Sequence, residues 1–353
     1  MKRALKMIGT FLAVILMAVV VFFAVLTVKE YNPPEREDLL AEGEGDRTFA
    51  PGDTLTLLTW NIGYGALGDN ADFFMDGGKG VRTADRARVQ ENVAGIASQL
   101  LVLNPDIIFL QEVDFASDRS YKMDQAAYFA STFPEDSAVT ATNYQVLFVP
   151  YPIPPIGAVN SGLQTLSRAG ISAAERIQLP CPFSWPVRLG NLKRCLLVTR
   201  IPLAGTEKEL VAVNLHLEAY DSGEGKVAQT AMLTDFLRAE ADKGNYVIAG
   251  GDFNQIFTSI ENPWPVYENK WLPGEIDTAS LGEGFTPLMD ARVPTCRSLD
   301  QPLLGADQSK FQFYVIDGFI VSDNVRVESL ETLDRRFVNT DHNPVKLVVT
   351  LGN

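Results

Sequence analysis

Short apolar runs recur along this chain, and several stop abruptly at a carboxylate, amide or imidazole. Thr54–Thr59 leads into Trp60-Asn61, and Asp106–Leu110 into Gln111-Glu112. Glu209–Leu217 carries Asn214-Leu215-His216, and Tyr246–Ala249 leads into Gly250-Gly251-Asp252-Phe253-Asn254. A run of roughly four to eight apolar residues bounded by Gly, Pro or Asn is the pattern of a buried strand. Further strands are expected at Tyr144–Val149, Gly162–Ser167, Cys195–Thr199, Phe311–Val321, Val325–Leu333 and Val345–Leu351. Helical spacing occurs in Ala84–Leu103 (Val89, Val93, Ile96, Leu100, Leu103), stopped by Asn104-Pro105, and again in Glu224–Ala241. Strands outnumber helices and the two are interleaved. That order predicts an α/β sandwich, two sheets face to face with helices outside.

Strand ends at one rim of a sandwich can share a pocket although distant in sequence. Here that pocket would hold Asn61, Glu112, His216, Asp252, Asn254, Asp341 and His342. Asp252 and Asn254 flank Phe253, so an extended chain points both the same way. The chain has only two histidines, and both lie in these polar motifs. Imidazole titrates near neutrality and serves as acid, base or donor to an anion. Oxygen donors with few nitrogens and no thiolates suit Mg²⁺ or Mn²⁺ better than zinc. Hydrolysis of a phosphodiester needs a cation, a water-orienting carboxylate and donors to the non-bridging oxygens. All three are available in this set.

The amino terminus carries a different signal. Lys2, Arg3 and Lys6 precede an uncharged run, Met7–Val28. Those 22 residues span about 33 Å as a helix, enough for a hydrocarbon core of roughly 30 Å. The basic flank predicts a cytoplasmic amino terminus and an extracytoplasmic remainder. The run ends in Ala-Val-Leu-Thr-Val-Lys, a poor signal-peptidase site, so an uncleaved anchor is expected. The expected organisation is a basic flank (1–6), a transmembrane anchor (7–28), a polar Pro-containing linker or stalk (29–52) and a catalytic domain (53–353). Three cysteines, Cys181, Cys195 and Cys296, leave room for a Cys181–Cys195 bridge outside the cell. A net charge of −14 argues against a broad surface for a polyanion.

Trp-Asn, Gln-Glu, Asn-x-His-Leu, Gly-Asp-Phe-Asn, Ile-Asp-Gly-Phe-Ile-Val-Ser and Thr-Asp-His-Asn-Pro-Val occur here in one order. That series resembles the endonuclease/exonuclease/phosphatase superfamily, which includes deoxyribonuclease-I-like nucleases and neutral sphingomyelinases. The resemblance covers about residues 54–351. It implies a four-layer α/β/β/α sandwich with the site at one rim. It implies that Glu112, with Asn61 nearby, holds Mg²⁺, and that Asp341 contacts metal or water. Asp252 would orient or deprotonate the attacking water, and Asn254 would donate to a phosphate oxygen or position that water. His216 and His342 would donate to phosphoryl oxygens, with Asp317 pairing His342 and raising its pKa.

The substrate is less constrained, because one scaffold hosts many. Asp69–Thr83 (Phe73, Phe74, Met75) and Asn262–Pro273 (Trp264, Tyr267, Trp271) are expected as substrate-side loops. Their aromatics could rest on a bilayer, stack on bases, or simply pack the loops down. Arg119 could clamp a phosphate or pair with Asp114 or Asp118. The expected function is a membrane-anchored, Mg²⁺-dependent phosphoesterase, with a lipid head group ahead of nucleic acid as substrate. A deoxyribonuclease-I-like nuclease is the first alternative and a non-catalytic binding module the second. No protein partner is implied.

Overall fold

The computed structural model describes residues 2–268 and 270–352. Its helices are α1 (Lys2–Val28), α2 (Arg86–Leu103), α3 (Gln125–Thr132) and α4 (Glu224–Ala241). Its strands begin with β1 (Arg36–Leu39), β2 (Thr54–Asn61), β3 (Ile107–Asp114), β4 (Ser137–Val149), β5 (Gly157–Ser167) and β6 (Ala173–Gln178). They continue with β7 (Cys195–Pro202), β8 (Glu209–His216), β9 (Tyr246–Asp252), β10 (Gln255–Phe257), β11 (Gly274–Ile276) and β12 (Phe285–Leu288). The chain closes with β13 (Cys296–Arg297), β14 (Phe313–Tyr314), β15 (Asp317–Ser322), β16 (Val325–Thr332) and β17 (Val345–Leu351).

Two mixed sheets face each other. One has seven strands in the order β1-β6-β7-β8-β9-β15-β12, and the other six in the order β16-β17-β2-β3-β5-β4. Each centres on a parallel pair, β8–β9 and β2–β3. Between the sheets lie Leu55, Leu57, Ile107, Phe109, Leu210, Ala212, Ile248, Phe319 and Val321. The outer face of the six-stranded sheet buries Leu58, Trp60, Ile108 and Leu110 against Val93, Ile96 and Leu100 of α2. The outer face of the seven-stranded sheet buries Val211, Val213, Val247 and Ala249 against Leu233 and Leu237 of α4. This is the expected sandwich with a helix layer on each side. α2 starts where Asp85 accepts a hydrogen bond from Arg88 N and ends where Asn104 turns left-handed before Pro105.

Gly250 faces the gap between the sheets, opposite its cross-strand partner Phe319 and close to Phe109 of the other sheet. A Cβ there would lie 2.5 Å from the Phe319 ring and 3.1 Å from Phe109. The absent side chain lets those two rings fill the gap, their centroids 6.4 Å apart.

Two expectations are corrected, and one question left open by the sequence is answered. Residues 29–52 do not form a free stalk. β1 pairs with the edge strand β6, Arg36 bonds Glu175, and Phe49 is fully buried. Edge pairing uses backbone groups, so a charged sequence such as Arg-Glu-Asp can supply it. Phe311–Val321 is two strands rather than one. The Thr295 hydroxyl accepts from Ile316 N and Asp317 N and turns the chain from its pairing with β13 to its pairing with β9. Cys181 and Cys195 are free thiols, the first exposed and the second buried in β7.

α1 is almost wholly exposed and has a mean hydropathy of 3.1 over its most apolar window. It is one helix long and apolar enough to cross a membrane.

Candidate active site

Pleating decides which side chains meet. In β2, Leu55 and Leu57 face the opposite sheet, so Asn61, of the same parity, does too. The same parity turns Gln111, Asn214, His216, Asp252 and Asp317 into the gap between the sheets, at the ends of their strands. Glu112 has the opposite parity and would face the helices. A bulge between Leu110 and Val113, with Glu112 at φ 55°, breaks the alternation. It redirects Glu112 to the rim.

Asp252 is the hub. Its Oδ2 lies 3.0 Å from Asn61 Nδ2, 3.4 Å from His216 Nε2 and 3.9 Å from His342 Nε2. Its Oδ1 accepts from Asn254 N at 2.9 Å. Ladder register brings these residues together, since Asp252 is opposite His216 on one side and Asp317 on the other. Burial, then the nearby Asp317 charge, pushes the Asp252 pKa up to about 7.

His342 is held at three points. Its Nδ1 donates to Asp317 Oδ2 at 2.9 Å, its carbonyl accepts from Trp60 Nε1 at 2.9 Å, and its backbone bridges to Cys296. Burial opposes charge on the ring, but the Asp317 carboxylate outweighs it and raises the pKa well above the usual range. His216 is the reverse case. Burial, then Arg194 and His342, lowers its pKa, so the ring is neutral. Its Nδ1 is buried without a hydrogen-bond partner.

The donor set fits a hard divalent cation. Glu112, Asp252 and Asp341 line one cavity of about 460 Å³. Burial first, with Glu112 a further raising influence, moves the Asp341 pKa up to about 6. Carboxylates that share one buried cavity offer the oxygen donors that a hard divalent ion takes. Gly63, at φ +49°, leaves room beside Asp341, where a Cβ would come within 2.9 Å of Oδ1. Asn61 Oδ1 accepts from Gly63 N, while its Nδ2 faces Glu112 Oε1 at 3.2 Å as well as Asp252. As oriented, Asn61 braces both carboxylates through its Nδ2, and its Oδ1, with one lone pair taken by Gly63 N, keeps a second. Ligand atoms of Cys296, Asp341 and His342 also cluster within 4.8 Å. Burial pushes the Cys296 thiol up to about 12, so it stays protonated and ligates poorly.

The remaining expected site residues divide. Asn254, at φ 51°, spends its amide on Leu217 O at 2.9 Å. Arg119 lines the cavity but is committed, with two bonds to Asp114 and its guanidinium 3.7 Å from the centre of the Tyr64 ring. Trp271 lines the cavity beside Tyr220 and Tyr314. Trp264 is not among the lining residues and packs on Phe313 instead.

Sequence inspection misses Asp76, Arg194 and Tyr220. Asp76 closes a single 3-10 turn and Tyr220 lies on a loop, neither marked by periodicity; Arg194 lies one residue before β7, where a polar strand end marks it. Arg194 is buried between Glu218 and the His216 carbonyl. Burial, with Asp341 nearby, pushes the Asp76 pKa up to about 7.

The sequence profile of the endonuclease/exonuclease/phosphatase family matches residues 58–349. No curated protein matches the sequence. Among solved structures, an endonuclease/exonuclease/phosphatase from Beutenbergia cavernae superposes with a TM-score of 0.57 at 18% identity, covering 85% of this chain and 72% of its own. A family protein from Leptotrichia buccalis gives 0.53 at 16%, covering 84% and 99%. D. rerio TDP2, complexed with a single-strand DNA product, gives 0.51 at 15%, covering 84% and 99%. At these identities the likeness is one of fold.

Proposed function

The chain belongs to the endonuclease/exonuclease/phosphatase family and is a metal-dependent hydrolase of phosphoester bonds; from that premise we propose a membrane-anchored, extracytoplasmic, Mg²⁺-dependent phosphodiesterase. The observation that carries this reading is the convergence of Asn61, His216 and His342 on Asp252, beside Glu112 and Asp341 in the same cavity.

In this reading Glu112 and Asp341 hold the cation, and Asn61 keeps Glu112 in place. When bound, Mg²⁺ supplies Lewis-acid stabilisation of a phosphoryl oxygen. Asp252 orients the attacking water and accepts its proton. A carboxylate raised toward neutrality is matched to that task at neutral pH. Asn254 fixes Asp252 through its backbone N–H. His342, kept cationic by Asp317, donates from Nε2 to a non-bridging oxygen as charge builds. His216, neutral, contributes one N–H.

The basic residues Lys2, Arg3 and Lys6, in the first turns of α1 ahead of its apolar run, support a cytoplasmic amino terminus, with 53–353 as the catalytic domain outside. A lipid head group is the favoured substrate, because α1 holds the site near a bilayer and the net charge of −14 disfavours a polyanion. The second reading is a nuclease, favoured by the Tyr220, Trp271 and Tyr314 wall on which a base could stack.

The test is a substrate panel with the purified full-length protein: phospholipids, sphingomyelin, single- and double-stranded DNA, and RNA, each with Mg²⁺ and with EDTA. Mg²⁺-dependent lipid turnover supports the reading. DNA cleavage without lipid turnover selects the nuclease, and absence of any turnover removes the site assignment.

A further inference from the structure

α1 does not end in free chain. Phe22 packs edge-on against Phe148 at 6.5 Å, Phe23 lies 6.0 Å from Trp185, and Trp185 Nε1 donates to Thr27 Oγ1 at 3.1 Å. Just beyond the helix, Glu30 accepts from Lys193 at 2.9 Å and pairs with Arg188. The membrane end of the helix is therefore seated on the domain. A floppy tether would make none of these contacts.

Around this seat two loops expose apolar side chains. The β4–β5 connection reads Pro-Tyr-Pro-Ile-Pro-Pro-Ile over residues 150–156, with Tyr151 70% and Ile153 92% exposed. The segment after β6 adds Trp185 and Val187, both more than half exposed. Isolated exposed apolar residues are ordinary; a contiguous group is not. The band continues inward. Tyr151 packs on Phe74 at 6.0 Å, and Phe74, Met75, Val149, Tyr151 and Ile156 line the mouth of the cavity that holds Glu112, Asp252 and His342.

We infer that this collar lies in the surface of the same bilayer that α1 crosses, so that the cavity opens onto the membrane and takes the phosphoester head group of a lipid from that leaflet. The inference rests on the phosphodiesterase reading and on α1 as a membrane span. Continuity with α1 identifies the occupant: Phe148 and Trp185, which start the two apolar loops, both touch the last turns of the helix, so a bilayer containing the helix meets those loops. Aromatic residues with Pro-rich backbone suit the interfacial layer, where rings are half wetted and strand hydrogen bonding is not needed. A fully hydrated substrate has no apolar surface to lay on the exposed side chains around the mouth.

Two measurements on the full chain test this. The first places an environment-sensitive fluorophore at Ile153→Cys in a Cys181→Ser background, in nanodiscs of phosphatidylcholine with and without brominated acyl chains. The control is Glu207→Cys, exposed in the β7–β8 turn at the opposite rim. Strong quenching at 153 and none at 207 is expected. Equal quenching at both overturns the inference. So does a probe at 153 that is shielded from aqueous iodide yet untouched by bromolipid, which would mean that a protein or a second copy covers the collar.

The second compares turnover of vesicle phospholipid with that of bis-p-nitrophenyl phosphate. Ile153→Asp is expected to lower the lipid-to-soluble ratio about tenfold, the effect of removing one large apolar side chain from the contact. An unchanged ratio counts against the collar. Mg²⁺-dependent turnover of the soluble ester with no lipid turnover sinks the inference and leaves the phosphodiesterase reading standing. Loss of turnover toward both substrates in the unsubstituted protein sinks that reading, and fluorophore quenching still decides where the collar lies.

Discussion

His342 Nδ1 lies 2.9 Å from Asp317 Oδ2, with both side chains buried and Asp317 Oδ1 left without a partner. One carboxylate oxygen thus fixes both the ring's orientation and its charge. If His342 donates to the phosphoryl group, His342→Ala should lower kcat roughly 10²–10³-fold, the usual loss of one transition-state donor. Asp317→Asn should lose much of the same factor. The double variant should be little worse than His342→Ala alone, because the two act as one unit. Steady-state kcat on a soluble phosphodiester reads this directly, and additive losses would separate the two roles.

EDTA should abolish turnover, and Mg²⁺ should restore it. Asn61→Ala removes the brace on Glu112, and such losses around a metal site typically cost about 10–100-fold in metal affinity. Glu112→Ala should cost more. Calorimetric titration with Mg²⁺ would check the order, which reverses if Asn61 is itself a ligand.

Asp252→Asn should abolish turnover with Mg²⁺ binding retained, because the residue acts on water in this reading. A parallel loss of metal affinity would reassign Asp252 to the ligands.

Glu240, far from the site, offers a test on stability. Burial opposes its charge, but hydrogen bonds from Arg200, Lys243 and Asn245 outweigh it and lower the pKa to about 2. A lowered carboxylate pKa stabilises the fold above the unfolded value near 4.5, and that contribution is lost as pH falls toward 2. Glu240→Gln should cost about 1–2 kcal/mol at pH 7, discounted for solvent screening of Arg200 and Lys243, and close to nothing near pH 2. Urea denaturation at the two pH values measures it; equal costs would mean the network contributes no charge-dependent stability.

Gly250→Ala should destabilise by about 1–3 kcal/mol through overpacking against Phe319 and Phe109. A thermal melt at or above the unsubstituted value would show that the rings can move aside.

Much of the fold is legible in the sequence because its strands are long apolar runs with abrupt polar ends. α4 and β17 occupy the expected residues, Glu224–Ala241 and Val345–Leu351, and α2 begins two residues late at Arg86. Other elements are harder to see. α3 is only eight residues long, and β1 is charged. The strand faces are hidden for a different reason. β2, β8 and β9 are buried on both sides, by helices outside and by the other sheet inside, so their sequences do not alternate between apolar and polar.

The sequence alone determined which residue types end the strands, their order, and the presence of an apolar span at the amino terminus. Those are local properties, written in side-chain chemistry along the chain. The tertiary structure decided which parity faces the gap, how the bulge at Glu112 turns it to the rim, and that Asp252 gathers Asn61, His216 and His342. It also set the foot of α1 beside the cavity mouth. Each depends on sheet register and on contacts between residues far apart in sequence, 191 positions for Asn61 and Asp252, and no pattern along the chain encodes those distances.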